Sequence, residues 1–217
     1  MSVVSLDPLL RPRLRGVLHQ WAFVASLATG VCLVLAAGSG RARVAVGVYA
    51  LSVAALFGTS ALYHRVDWRG MGARSWMRRL DHTMIFVLIA GTYTPFALLV
   101  LHGTAGAVIL ITVWSAALAG AVFKLVWIHA PGWLGVAVYI SIGWVAVAAL
   151  PELLERLGIA AVAALALGGI LYSVGGVIYA RKRPDPSPRV FGYHEVFHLL
   201  VIAAAALQYA VVAFWIV

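Results

Sequence analysis

A chain of 217 residues that is 64% apolar and 11% charged, with a mean hydropathy of +0.99, lies far outside the balance of a soluble globular domain. Its formal net charge of +9 needs no nucleic-acid partner, because basic loops beside anionic lipid headgroups account for it. What remains is an all-α, multi-pass protein of the cell membrane with membrane lipids as its surroundings and no room for a separate soluble domain.

Seven stretches are long and apolar enough to cross a bilayer as helices of about 20 residues, namely 20–39, 44–63, 82–101, 105–127, 132–150, 158–180 and 194–217. No stretch has the short alternating segments of a lipid-facing barrel, and backbone groups in hydrocarbon must pair internally, so a seven-helix bundle follows. Residues 1–19 read as a cytoplasmic N-terminal segment and residues 20–217 as one seven-helix membrane domain.

Arg11, Arg13 and Arg15 precede the first span. Its apolar run is too long for a cleavable signal core and no convincing A-x-A site follows, so it reads as a retained anchor. His19, at its entrance, is expected at the membrane interface, with a place in the site as the lesser alternative. Cys32 is the single cysteine and falls mid-span, which excludes an intrachain disulfide or a thiolate metal site. The second span closes with Ser60 and His64. Between Arg65 and Leu80, five arginines alternate with Val66, Trp68, Met71, Trp76 and Met77, a pattern that predicts an amphipathic segment lying along the surface.

Asp81 and His82 open the third span. His102 and His129 flank the fourth and are expected at headgroup level. The small residues Gly168, Gly169, Gly175 and Gly176 of the sixth predict close helix packing rather than a phosphate loop. Pro184, Pro186 and Pro188 interrupt any helix before the seventh span and fix its start, at which His194 and His198 stand.

Lys and Arg positions orient the bundle. With a cytoplasmic N-terminus, the inner segments hold Arg11, Arg13, Arg15, the arginines of 65–79, Lys124, Arg181, Lys182, Arg183 and Arg189, and only Arg41, Arg43 and Arg156 fall outside. The positive-inside rule therefore puts the N-terminus in the cytoplasm and the C-terminus outside. The second span then runs inward to His64, whereas the third and seventh run outward from Asp81, His194 and His198. All four residues converge on one depth.

His194 and His198 are four apart, on one helix face with about 6 Å of rise between them, a separation that two ligands of one ion accommodate. With His64 they form a three-histidine set that leaves a fourth position open, the pattern of a catalytic Zn2+. Such an ion acidifies bound water, Asp81 is the candidate base, and Ser60, four residues before His64, is placed to orient water or a substrate carbonyl.

Blander roles are open at the same residues. Asp81 and His82 could cap the third span, and Ser60 could bond a carbonyl of its own helix. His194 to His198 also matches the HExxH pattern of zinc proteases, but no downstream His, Asp, Glu or Cys follows to complete that set. Glu195, about 100° around the helix from His194, is a second-choice base or a partner of the inner arginines.

At these positions the chain resembles the hemolysin III family of the progestin and adipoQ receptor (PAQR) superfamily. The resemblance lies in Ser60-Ala-Leu-Tyr-His64, in Leu80-Asp81-His82-Thr83-Met84-Ile85-Phe86 through Ala90-Gly91-Thr92-Tyr93-Thr94-Pro95-Phe96, and in Phe191-Gly192-Tyr193-His194-Glu195-Val196-Phe197-His198. It implies zinc held by His64, His194 and His198, with Asp81 contacting the metal's water and Ser60 supporting it. The implied reaction is hydrolysis of a lipid amide, ceramidase-like, or of a lipid ester. Many members of the family carry an acidic residue and an asparagine before the first span's threonine–histidine pair; here Arg13-Leu14-Arg15-Gly16-Val17-Leu18-His19 keeps the histidine without the acid. Two further functions stand beside hydrolysis: a non-enzymatic receptor or regulator of lipid state, and a haemolysin-like pore. The spans carry almost no charge away from the cytoplasmic site, which argues against a pore.

Overall fold

A computed structural model describes residues 12–217. They form helices and turns with one isolated bridge, Ser187 to Phe191. In chain order the helices are α1 (Val17–Ala36), α2 (Gly40–Arg65), α3 (Met71–Pro95), α4 (Gly103–Val126), α5 (Gly132–Gly143), α6 (Leu150–Arg181) and α7 (Tyr193–Val211). Among the described residues, six helical runs are long and apolar enough to cross a membrane.

Local sequence explains the boundaries. Ser39 caps α2, its hydroxyl accepting from the Ala42 N–H at 3.1 Å. α3 starts at Met71, so the arginine-rich stretch is not the separate surface segment its composition predicts. Met71 to Leu80 is instead the base of α3, where Met, Arg and Leu propagate a helix well and arginine stems run along apolar surface while their heads reach water. Asp81 and His82 consequently lie ten and eleven residues inside α3, which removes the capping role considered for them. At the other end, Pro95 lacks an N–H and crowds the preceding turn. The next five residues, Phe96–Val100, continue as a π-helical turn closed by the Leu101 N–H on the Phe96 carbonyl at 2.9 Å.

Gly132–Arg181 is a single apolar run of 50 residues, yet it is not straight. A 3-10 stretch, Trp144–Ala149, joins α5 to α6, and Gly158 leaves helical geometry with φ 77° and ψ 170°. That positive φ is open to glycine and strained for other residues. Beyond it the chain folds back: Gly176 of α6 lies against the Val136 side chain of α5, and the Trp144 indole N–H donates to Ser173 at 3.0 Å.

The interior is held by close approach. Gly91 of α3 faces Ser52 of α2, and Gly120 of α4 sits on the ring of Phe86, which is fully buried. Small residues at such contacts let backbones approach where lipid gives no hydrophobic drive between helices. Large apolar side chains such as Leu35, Leu51, Ile111 and Ile159 face outward instead, as a lipid-facing surface requires, and Cys32 is exposed among them.

Candidate metal centre

α2 and α7 supply the heart of the site. His64 stands in the last turn of α2, and His194 and His198 occupy successive turns at the start of α7. One ligand atom from each of the three lies within 4.8 Å of the other two, and His194 and His198 are buried. Ring centroids are 4.7 Å apart for His64 and His194, 5.3 Å for His64 and His198, and 4.5 Å for His194 and His198. The donor set suits a metal: three imidazoles that each offer a lone pair when neutral. Within it, the buried His198 Nδ1 has no hydrogen-bond partner among the described residues.

α1 and α3 add polar groups around this cluster. The His19 ring stacks on His198 with centroids 3.6 Å apart and planes 11° from parallel. Its Nδ1 is 2.8 Å from the Ser60 hydroxyl. Ser60, 2% exposed, also lies beside the Asp81 carboxyl, so its hydroxyl has side-chain partners within the site. His82 is fixed at both ring nitrogens, Nδ1 at 2.9 Å from the Arg78 carbonyl and Nε2 at 3.2 Å from the Tyr179 hydroxyl. Since a carbonyl only accepts, Nδ1 carries the proton and Tyr179 donates to Nε2. Tyr139 in turn donates to the His82 carbonyl at 3.1 Å.

The N-terminal segment binds this assembly from outside. Arg13 and Leu14 donate their backbone N–H groups to the carbonyls of Arg189 and Val190, and the Arg15 guanidinium pairs with Glu195. Glu195 is fully buried, and its second carboxylate oxygen accepts the Gly192 N–H at 2.8 Å, closing the first turn of α7. Gly16, with φ 79°, packs so tightly over His64 that any side chain there would collide with it. Both Glu195 oxygens are thus engaged, as its alternative role of pairing with inner arginines predicts, and Asp81 is left as the carboxylate facing the cluster. His102 and His129 are exposed and do not line the site.

The cluster opens on a cavity of about 150 Å³ that runs between α3, α5, α6 and α7. Ser60, Asp81, His194 and His198 line it at one end, and Leu56, Ile85, Leu88, Phe197 and Val201 give it apolar walls. Of the two places the sequence leaves open to His19, the interface it favours and the site, the structure shows the second: His19 is 3% exposed and belongs to this lining. A lone histidine at the mouth of a span carries no periodic partner that would have marked it.

A sequence profile described as Haemolysin-III related matches residues 8–209 of this chain. The chain belongs to the haemolysin-III-related family. Within that family, the Hemolysin-3 homolog of Bacillus subtilis (strain 168) is 36% identical over 180 residues, covering 83% of this chain and 81% of the relative. Hemolysin-3 of Bacillus cereus is 32% identical over 179 residues, covering 82% and 78%. More distantly, the monocyte to macrophage differentiation factor of Homo sapiens is 23% identical over 174 residues, covering 77% of this chain and 68% of its own, in keeping with the PAQR superfamily. The haemolysin-III match spans every residue of the site, from His19 to His198, and agrees with a multi-pass cell-membrane location.

Proposed function

We propose that this haemolysin-III-family protein is a zinc-dependent hydrolase of a lipid amide or ester, working from the cytoplasmic side of the membrane. The observation that carries the reading is the three-histidine cluster with Asp81 and Ser60 at one end of a largely apolar cavity. On this reading residues 20–217 are one membrane domain of seven spans, which the break at Gly158 within the run Gly132–Arg181 supports by allowing two crossings there. The distribution of Lys and Arg supports a cytoplasmic N-terminus.

His64, His194 and His198 would hold the ion, which supplies Lewis acidity toward a carbonyl and toward water. Asp81 takes a proton at its carboxylate during attack and returns it to the departing amine or alcohol. The Ser60 hydroxyl, fixed by His19, directs hydrogen bonds at the carboxylate or at the substrate carbonyl. Leu56, Ile85, Leu88, Phe197 and Val201 hold an acyl chain and keep water from it, so that the carbonyl is presented at the polar end.

Purified protein in detergent should contain about one zinc per chain, and a His194→Ala, His198→Ala double variant should lose it. Asp81→Asn should retain metal while hydrolysis of a lipid amide or ester falls by roughly 10²–10⁴-fold. Turnover unchanged in Asp81→Asn overturns the role of that carboxylate. A zinc-bearing protein that unfolds on chelation yet hydrolyses neither class overturns the enzyme reading in favour of a structural metal in a lipid-state regulator.

A further inference from the structure

The cavity does not end in hydrocarbon. At the end away from the histidines it is lined by Tyr172 and Gln208. The Tyr172 hydroxyl and Gln208 Oε1 are both buried and have no hydrogen-bond partner among the described residues.

Helix geometry sets the depth of this end. Gln208 follows His198 by ten residues on α7, about 15 Å of rise. A side chain at Gly168, one turn from Tyr172, would meet Gln208 Cγ at 3.6 Å, which ties α6 to the same depth.

Two unpaired polar groups buried at this end are costly unless something pairs with them, and nearby walls such as Leu88 and Val201 offer no acceptor or donor of their own. Their chemistry restricts the partner. Gln208 Oε1 only accepts, so the partner must donate; the Tyr172 hydroxyl both donates and accepts. No charged side chain lines this end, so a charged partner would go uncompensated.

We propose that the inner end of the cavity is a subsite for a neutral hydroxyl or amide group carried on the far end of a ligand's chain, about 15 Å from the group held at the histidines. This rests on the reading of the cavity as a lipid site and narrows the ligand class to chains polar at both ends.

The test uses the full-length protein in one detergent, titrated with dodecanoic acid and with ω-hydroxydodecanoic acid, and reads the ratio of their dissociation constants. Using the same probe pair for every protein cancels differences in micelle partition. Wild type should favour the hydroxy acid relative to Gln208→Leu, in which the ratio should move by roughly tenfold toward the plain acid. Tyr172→Phe, which removes one oxygen, should shift the ratio the same way and serves if Gln208→Leu does not fold. A ratio equal in wild type and in the folded variants overturns the subsite and leaves these groups to water. Absence of binding of either acid to wild type also overturns it. The proposed reaction fails separately: with no lipid hydrolysis but a shifted ratio the subsite stands, and with hydrolysis intact but an unshifted ratio the subsite alone falls.

Discussion

His19 carries none of the three ligand atoms, yet it touches both halves of the site, stacking on His198 and bonding Ser60. Partners of this kind fix a ligand's ring orientation, and their loss commonly weakens metal affinity by about 10–100-fold. His19→Ala should therefore still bind one zinc per chain but surrender it to a weaker chelator than wild type does; equal resistance to a graded chelator series would show the stacking to be incidental. The three proposed ligands were legible in the sequence because spacing and topology both pointed to them: four residues between His194 and His198, and His64 at the same end of an oppositely directed span. His19 was not, since a histidine at a span entrance looks the same whether it meets headgroups or turns inward. What turns it inward is tertiary. Gly16 brings α1 onto His64, and Arg15 anchors the turn before it to Glu195.

At the scale of elements, boundaries in polar sequence were harder to read than apolar spans. Hydropathy located the membrane-crossing part of α3 but not its start at Met71, because an arginine-rich amphipathic stretch fits a surface segment and the extension of a helix equally well. The break at Gly158 falls where the fifth and sixth expected spans meet, and its cause is a backbone conformation that composition does not register. Packing between elements gives a prediction of defined sign. Gly120→Ala would raise helix propensity by about 1 kcal/mol in an open position. Here the added methyl would strike the Phe86 ring, and overpacking costs about 1–3 kcal/mol. The variant should melt at a lower temperature than wild type, and Phe86→Leu introduced with it should recover part of the loss. A higher melting temperature for Gly120→Ala would show that α4 and α3 have room to separate.

For the whole molecule, the seven crossings proposed here would place the two termini on opposite faces. Alkaline phosphatase fused after Val217 should be active, and a cytoplasmic fluorescent reporter at the same point dark; the reverse pattern would remove either one crossing or the cytoplasmic placement of the site. The distance along the chain between the site's parts has a consequence for biogenesis. Arg13, Leu14 and Arg15 leave the ribosome long before the carbonyls of Arg189 and Val190 and the Glu195 carboxylate that secure them. His64 likewise waits for α7. During synthesis, every earlier helix enters the bilayer with its share of the centre incomplete, and a chain arrested before Gly192 has neither the two-histidine turn nor the partner of Arg15. Loading of the proposed metal would thereby be a late event of assembly, a built-in check that only a chain threaded through α7 passes.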